Sequence, residues 1–285
     1  MGFCDADSST RRARRLVAAG ASNLQEQLEA GAVVATEALT FDFDPVILGA
    51  SAESRAKNVS FNPVTGRLKG AVAEDEATLA RALSEYAAWA EALVRRLLPG
   101  YGSALNVGKT SFRPRPAEAA ISPRKDDRRL HVDAFPSQPT QGRRILRVFR
   151  NVNPAGVDRV WAIGEPFAEH AARFLPATRP VSPLVPWMLL GLGLTKGRRT
   201  AYDHVMLQLH DAAKASDDYQ ADAACETFAF APGATWLVFT DVVPHAARSG
   251  RFAFEQTFFV PVEAMADPAA APLAVLERMM QRKLT

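Results

Sequence analysis

The chain has 285 residues, 48% of them apolar and 23% charged, a balance that supplies a folded core and excludes a mainly disordered or collagen-like protein. Lys plus Arg number 34 against 31 Asp plus Glu, a net charge of +3, which is too small to mark a nucleic-acid binder. The two cysteines, Cys4 and Cys225, form no CxxC pair; this excludes a disulfide framework and a thiolate zinc site and suits a reducing, cytoplasmic setting.

In chain order, Arg11, Arg12, Arg14 and Arg15 precede no continuous apolar run, so no secretory signal is expected. From Glu74 to Leu98 the apolar residues Leu79, Leu83, Tyr86, Ala90, Leu93 and Leu97 recur at steps of four and three, the period of an amphipathic helix, which Pro99-Gly100 ends. Strands are predicted at Arg144 to Asn151, Asp158 to Ile163, Phe228 to Phe230, Thr235 to Thr240 and Arg251 to Val260, short runs rich in Val, Ile, Phe and Trp with Gly, Pro, Asn or Asp at the breaks. A second helix is predicted near Tyr202 to Ala213, where Tyr202, Val205, Met206 and Leu209 repeat at helical spacing. No internal repeat is visible. The expected class is mainly β with N-terminal helices: one unit over 1–285, with a helical part over 1–100 packed on a β-sandwich core over 101–265.

The longest uncharged run, Pro180 to Thr195, is broken by Pro183, Pro186, Gly191 and Gly193 and falls short of the roughly 20 residues that span a bilayer. Within it Trp187, Met188, Leu189, Leu190, Leu192 and Leu194 precede Lys196, Arg198 and Arg199. That pattern suits contact with an anionic lipid surface. A buried loop or short core helix is the alternative.

The five histidines are His131, His170, His204, His210 and His245. In His131-Val132-Asp133 an imidazole and a carboxylate stand at i and i+2, which on an extended strand project from one face and can share an ion. His245 comes much later, between two predicted strands. One His-x-Asp with a distant His near the end of a β-sandwich is the pattern of the 2-His-1-carboxylate triad, which leaves iron positions open for 2-oxoglutarate and dioxygen. Zinc is the alternative metal. His204 and His210 stand six apart on the predicted helix and do not face one ion together; with His170 they read as surface or core histidines.

The same residues carry a family resemblance. Arg128-Arg129-Leu130-His131-Val132-Asp133-Ala134-Phe135-Pro136-Ser137, the run from Gly142 through Phe149 to Asn151-Val152-Asn153-Pro154, Thr195-Lys196-Gly197, Leu207-Gln208-Leu209-His210-Asp211 and Phe254-Glu255-Gln256-Thr257-Phe258 resemble the Kdo hydroxylase family. The likeness extends from about Lys109 to Pro261. It implies a double-stranded β-helix (jelly roll) of the 2-oxoglutarate dioxygenase type, with Fe(II), 2-oxoglutarate and O2. It further implies hydroxylation at C3 of Kdo (3-deoxy-octulosonic acid) on Kdo-lipid A to give Ko, by a cytoplasmic protein peripheral on the inner face of the inner membrane. A dioxygenase of another small acidic substrate, and a cupin-like metal- or sugar-binding module without turnover, are the alternatives.

Alternation in the strand at Arg144 to Asn151 puts Arg147 between Ile145 and Phe149 on one face, and a cation so placed needs an anion. We assign it the distal carboxylate of 2-oxoglutarate, with an intramolecular salt bridge as the alternative. Many 2-oxoglutarate enzymes draw this cation from a position after the distal His. Here that place is near Gln256, which is uncharged, so Gln256 and Arg251 stand beside Arg147 as cosubstrate-binding candidates, with Arg248 a further cation. Arg159 and Trp161 share a face of the next strand and suit an acidic sugar, whose carboxylate takes the guanidinium while its C–H face rests on the ring; a core Trp with a surface Arg is the alternative. Arg113 is a third candidate for the sugar carboxylate or a lipid phosphate.

Overall fold

The computed structural model describes residues 16–36, 39–50, 58–72, 76–116 and 122–285; Cys4, the four N-terminal arginines and Glu74 lie outside them. The chain is mixed helix and sheet, built on one large and one small sheet. Its strands and helices run β1 (Leu16–Ala18), α1 (Leu24–Glu29), β2 (Val33–Thr36), α2 (Val46–Ala50), β3 (Val59–Asn62), β4 (Arg67–Lys69), α3 (Glu76–Leu97), β5 (Asn106–Arg113), β6 (Arg144–Asn151), β7 (Arg159–Ile163), α4 (Phe167–Phe174), α5 (Leu184–Gly191), α6 (Ala201–Ala215), α7 (Asp217–Asp222), β8 (Glu226–Phe230), β9 (Thr235–Phe239), β10 (His245–Ser249), β11 (Ala253–Val260) and α8 (Pro272–Met280). The large sheet has the order β1-β2-β9-β6-β11-β5-β3-β4 and the small one β10-β7-β8. His131 adds a single antiparallel bridge to His245 at the edge of the small sheet.

The central strands β6 and β11 are buried at every position because both faces of the large sheet are covered. On one face lies α3, whose apolar stripe is the predicted one: Leu79, Leu83, Tyr86, Ala90 and Leu93 are buried. Tyr86 stacks on Phe254 of β11, and its hydroxyl donates to Val148 O of β6 at 3.2 Å. The other face meets the small sheet through Phe149, packed edge-on to Trp161 of β7 and stacked on Trp236 of β9. The charged and catalytically useful side chains therefore sit between the sheets, where alternation on β6 delivers Arg147.

Two expectations need correction. The part before residue 100 is not purely helical: β2 pairs with β9, and β3 with β5, so it supplies both edges of the large sheet. Val33-Val34-Ala35-Thr36 and Val59-Ser60-Phe61-Asn62 are β-branched or aromatic runs too short to signal a strand until a sheet edge receives them. The second half, in turn, carries four helices, α4 to α7, inserted between β7 and β8.

The turn from β10 to β11 depends on one glycine. Gly250 has φ of +93°, and a Cβ there would come within 2.6 Å of Asp158 O, so no other residue fits without moving β7. Its carbonyl accepts from Arg159 Nη1 at 2.6 Å, which fixes that buried cation at the far end of the small sheet.

Candidate metal centre

His131 and Asp133 leave the chain on either side of Val132, and His245 opens β10. The two histidines exchange backbone hydrogen bonds, His131 N to His245 O at 3.1 Å and His245 N to His131 O at 2.9 Å, while Asp133 N donates to Thr240 O at 2.8 Å. Three ligand atoms, one from each of these buried side chains, thereby lie within 4.8 Å of one another.

Each imidazole is oriented by its own neighbourhood. His131 Nδ1 lies 2.7 Å from Arg129 O and His245 Nδ1 lies 2.8 Å from Val243 O; a carbonyl only accepts, so Nδ1 carries the proton and Nε2 presents a lone pair. Burial, reinforced at His131 by His245 and Lys214, pulls that ring's pKa well below the ordinary value, and burial lowers His245 likewise. Both rings are therefore neutral at pH 7, as metal ligation requires. Burial alone would raise the Asp133 pKa, but the Arg147 guanidinium beside it outweighs that effect and keeps Asp133 ionised.

Arg147 bridges Asp133 and Glu255. Its Nη2 is 3.0 Å from Asp133 Oδ2 and its Nη1 pairs with Glu255 Oε1. The contact to Asp133 lacks hydrogen-bond alignment, and Arg147 Nε has no hydrogen-bond partner among the described residues. Glu255 also accepts from Arg113 Nε at 2.7 Å, and Arg113 reaches Asp127 Oδ2 at 3.0 Å. A chain of ion pairs thus runs from the metal-ligating carboxylate across the large sheet. None of it is visible in the sequence, because Asp127 and Glu255 are far apart along the chain.

These groups line a cavity of about 180 Å³ whose walls include Arg113, Arg147, Arg159, Trp161, His210 and Lys214 beside the triad. Four of the lining groups are cations and two are carboxylates, Asp127 and Asp133; counting Glu255, which is buried outside the lining and paired with Arg113 and Arg147, one surplus positive charge is left around the cavity. A divalent metal brings the surplus to three, which a dicarboxylate together with a monocarboxylate would neutralise. The donor set, two neutral imidazoles and one ionised carboxylate, fits Fe(II). The orphaned N–H groups of Trp161 and Arg147 fit anionic or carbonyl oxygens brought in by ligands.

Of the residues singled out above, His131, Asp133, His245, Arg113, Arg147, Arg159 and Trp161 converge on this cavity. Gln256 and Arg251 do not line it. Alternation along β11 turns Glu255 inward and Gln256 to the other face, where Gln256 Oε1 accepts from Thr110 Oγ1 at 2.6 Å. Arg251 lies over the Phe252 ring at 3.9 Å. Arg248 donates to Arg128 O. Sequence reasoning missed Glu255 and Lys214, and set His210 aside although it lines the cavity.

The two-sheet core and this donor set have the make-up of a mononuclear non-haem metal site of the 2-His-1-carboxylate type. The family model for 3-deoxy-D-manno-oct-2-ulosonic acid (Kdo) hydroxylase matches residues 12–283. The chain belongs to the Kdo hydroxylase family. It is similar to the crystal structure of the Kdo hydroxylase KdoO, a non-haem Fe(II) α-ketoglutarate-dependent dioxygenase, in complex with α-ketoglutarate and Fe(III). The two share 44% identity over 92% of this chain and 90% of the other, with a TM-score of 0.87. The cobalt(II) complex is equally similar, with 44% identity over 91% and 90% and a TM-score of 0.87. The apo structure follows with 42% identity over 94% and 95% and a TM-score of 0.86. No curated protein sequence matches the chain.

Proposed function

We propose that the protein is an Fe(II)/2-oxoglutarate-dependent dioxygenase that hydroxylates C3 of Kdo on Kdo-lipid A to give Ko, a modification of the lipopolysaccharide inner core. The observation that carries this reading is the triad His131, Asp133 and His245 inside a cavity whose surplus charge suits a dicarboxylate cosubstrate and a monocarboxylate sugar. The resemblance to KdoO, whose complex holds α-ketoglutarate and Fe(III), supports the same cosubstrate here. The two sheets, with β5, β11, β6 and β9 on one side and the His131 bridge, β10, β7 and β8 on the other, then form a double-stranded β-helix.

The metal, 2-oxoglutarate and O2 together supply the oxidising power that replaces C–H by C–OH, with release of succinate and CO2. The protein's own residues position and exclude. Asp133 and the two imidazoles hold the metal through three ligands. Arg147 borders the metal ligands and can turn from Asp133 to the cosubstrate's carboxylate. Arg159 and Trp161 receive the acid sugar, and Arg113 holds Glu255 and Asp127 in place. The walls from β6, β7 and β11 keep water from the reacting carbon.

The substrate's acyl chains place it in a membrane, and the structure presents one surface that suits it. Leu184, Trp187, Met188, Leu192 and Leu194, in and just after α5, are between 56% and 76% exposed. Arg198 lies over the Trp187 ring at 5.2 Å, with Lys196 and Arg199 adjacent in sequence. No helix among the described residues is long and apolar enough to cross a membrane. The reading is therefore of a peripheral contact on the cytoplasmic leaflet of the inner membrane.

The test is to load the protein with Fe(II) and 2-oxoglutarate without air, add Kdo-lipid A, admit oxygen and follow the sugar by mass spectrometry. Gain of one oxygen on Kdo with stoichiometric succinate is expected. Succinate formation with a different acidic acceptor alone would reassign the substrate, and metal binding without any succinate would leave a non-catalytic module.

A further inference from the structure

His210 reaches the cavity from α6, outside the two-sheet core, and its ring stands edge-on to that of His131 with centroids 5.0 Å apart. Its Nδ1 is 2.8 Å from Val132 O, the carbonyl between the two ligands His131 and Asp133. Because that carbonyl only accepts, Nδ1 is the protonated nitrogen and Nε2 holds the lone pair. Nε2 makes no hydrogen bond among the described residues and is not one of the buried orphaned atoms. His204, on the same helix, differs: its Nε2 is buried and does not line this cavity.

The cavity offers many donors and few free acceptors. Arg113, Arg147, Arg159, Lys214 and the Trp161 N–H all donate. Asp133 is a metal ligand, and Asp127 and Glu255 are both ion-paired to arginines. Among the described residues, and apart from the Asn58 amide, His210 Nε2 is the one side-chain acceptor on these walls committed neither to metal nor to an ion pair. Such a wall binds carboxylates well, but it also has to recognise the hydroxyl donors of a polyol, and an acceptor beside the metal serves that purpose.

We propose that His210 is a specificity-determining residue: its Nε2 accepts a hydrogen bond from a hydroxyl of the sugar and orients the ring over the metal, while its Nδ1–H holds the Val132 carbonyl between the two ligands. The proposal rests on the functional reading above, and two substitutions separate its halves. His210→Asn keeps an amide donor near Nδ1 and removes the distal acceptor. His210→Gln carries a carbonyl oxygen to the region of Nε2 and gives up the Nδ1 donor.

Both variants are compared with wild type by Co(II) titration followed in the visible spectrum, by KM for Kdo-lipid A, and by succinate formed per sugar hydroxylated. The expected result for His210→Asn is unchanged Co(II) affinity, a KM raised roughly tenfold or more, as for the loss of one hydrogen bond in a dry site, and excess succinate over hydroxylated sugar. His210→Gln should recover KM and coupling. An Asn variant with wild-type KM and coupling overturns the proposal, as does equal loss of Co(II) affinity in both variants with no change specific to the sugar. A wild-type enzyme that turns over no Kdo overturns the functional reading, and the proposal with it.

Discussion

His131 and His245 hydrogen-bond to each other through their backbones in both directions, so two candidate metal ligands distant in sequence are held as neighbours by main-chain geometry. The imidazoles lie 4.7 Å apart between centroids. That pairing involves backbone atoms alone, so the side chains can be changed with it intact.

Replacing His131, Asp133 or His245 by Ala should abolish hydroxylation and sharply weaken Co(II) binding while circular dichroism stays native, since the pairing uses backbone atoms only. His204→Ala should retain both properties. A fully active Asp133→Ala enzyme would remove the triad assignment.

The two inward arginines should separate kinetically. Arg147→Leu is expected to raise KM for 2-oxoglutarate and Arg159→Leu to raise KM for the sugar, each by about 30-fold or more for a lost charge-assisted pair costing about 2 to 5 kcal/mol. Interchanged KM effects would exchange the two roles.

Stability of the metal-free protein should fall on acidification. Burial depresses the pKa values of His131, His245 and His210 below the ordinary histidine value. The unfolded chain recovers a pKa of about 6.5, so below that pH it binds protons the folded state refuses, and the stability present above it is progressively lost. Melting temperature without metal should therefore drop between about pH 8 and pH 5.5. A flat or rising profile would contradict the neutral, buried state of these rings.

Membrane contact should depend on salt. The protein should sediment with anionic vesicles at low ionic strength and be released at high, with each of Lys196, Arg198 and Arg199 contributing about 1 kcal/mol. The triple change to Gln should release it at lower salt, and Trp187→Ser should weaken it further. Equal sedimentation of wild type and triple variant would move the contact away from α5.

How much could be read before folding follows from the range of each signal. The helix α3 and the strand β6 were legible because apolar periodicity is local, and the observed Glu76–Leu97 and Arg144–Asn151 follow the stretches it marks. His131-Val132-Asp133 was legible because i and i+2 on extended chain share a face, and Arg147 because the same alternation isolates it between apolar residues. The edge strands β2 and β3 were not, since short strands form only where a sheet edge accepts them. Gln256 was misplaced by one step of alternation: the inward position on β11 belongs to its neighbour Glu255, and strand register is decided by pairing with β6. Sequence alone thus determined which residue types can bind a metal and an acid. Tertiary structure decided that His245 meets His131, that Glu255 and Asp127 absorb Arg113 and Arg147, and that a helix inserted between β7 and β8 brings His210 to the cavity, because each is a contact between segments whose separation in sequence leaves no local trace.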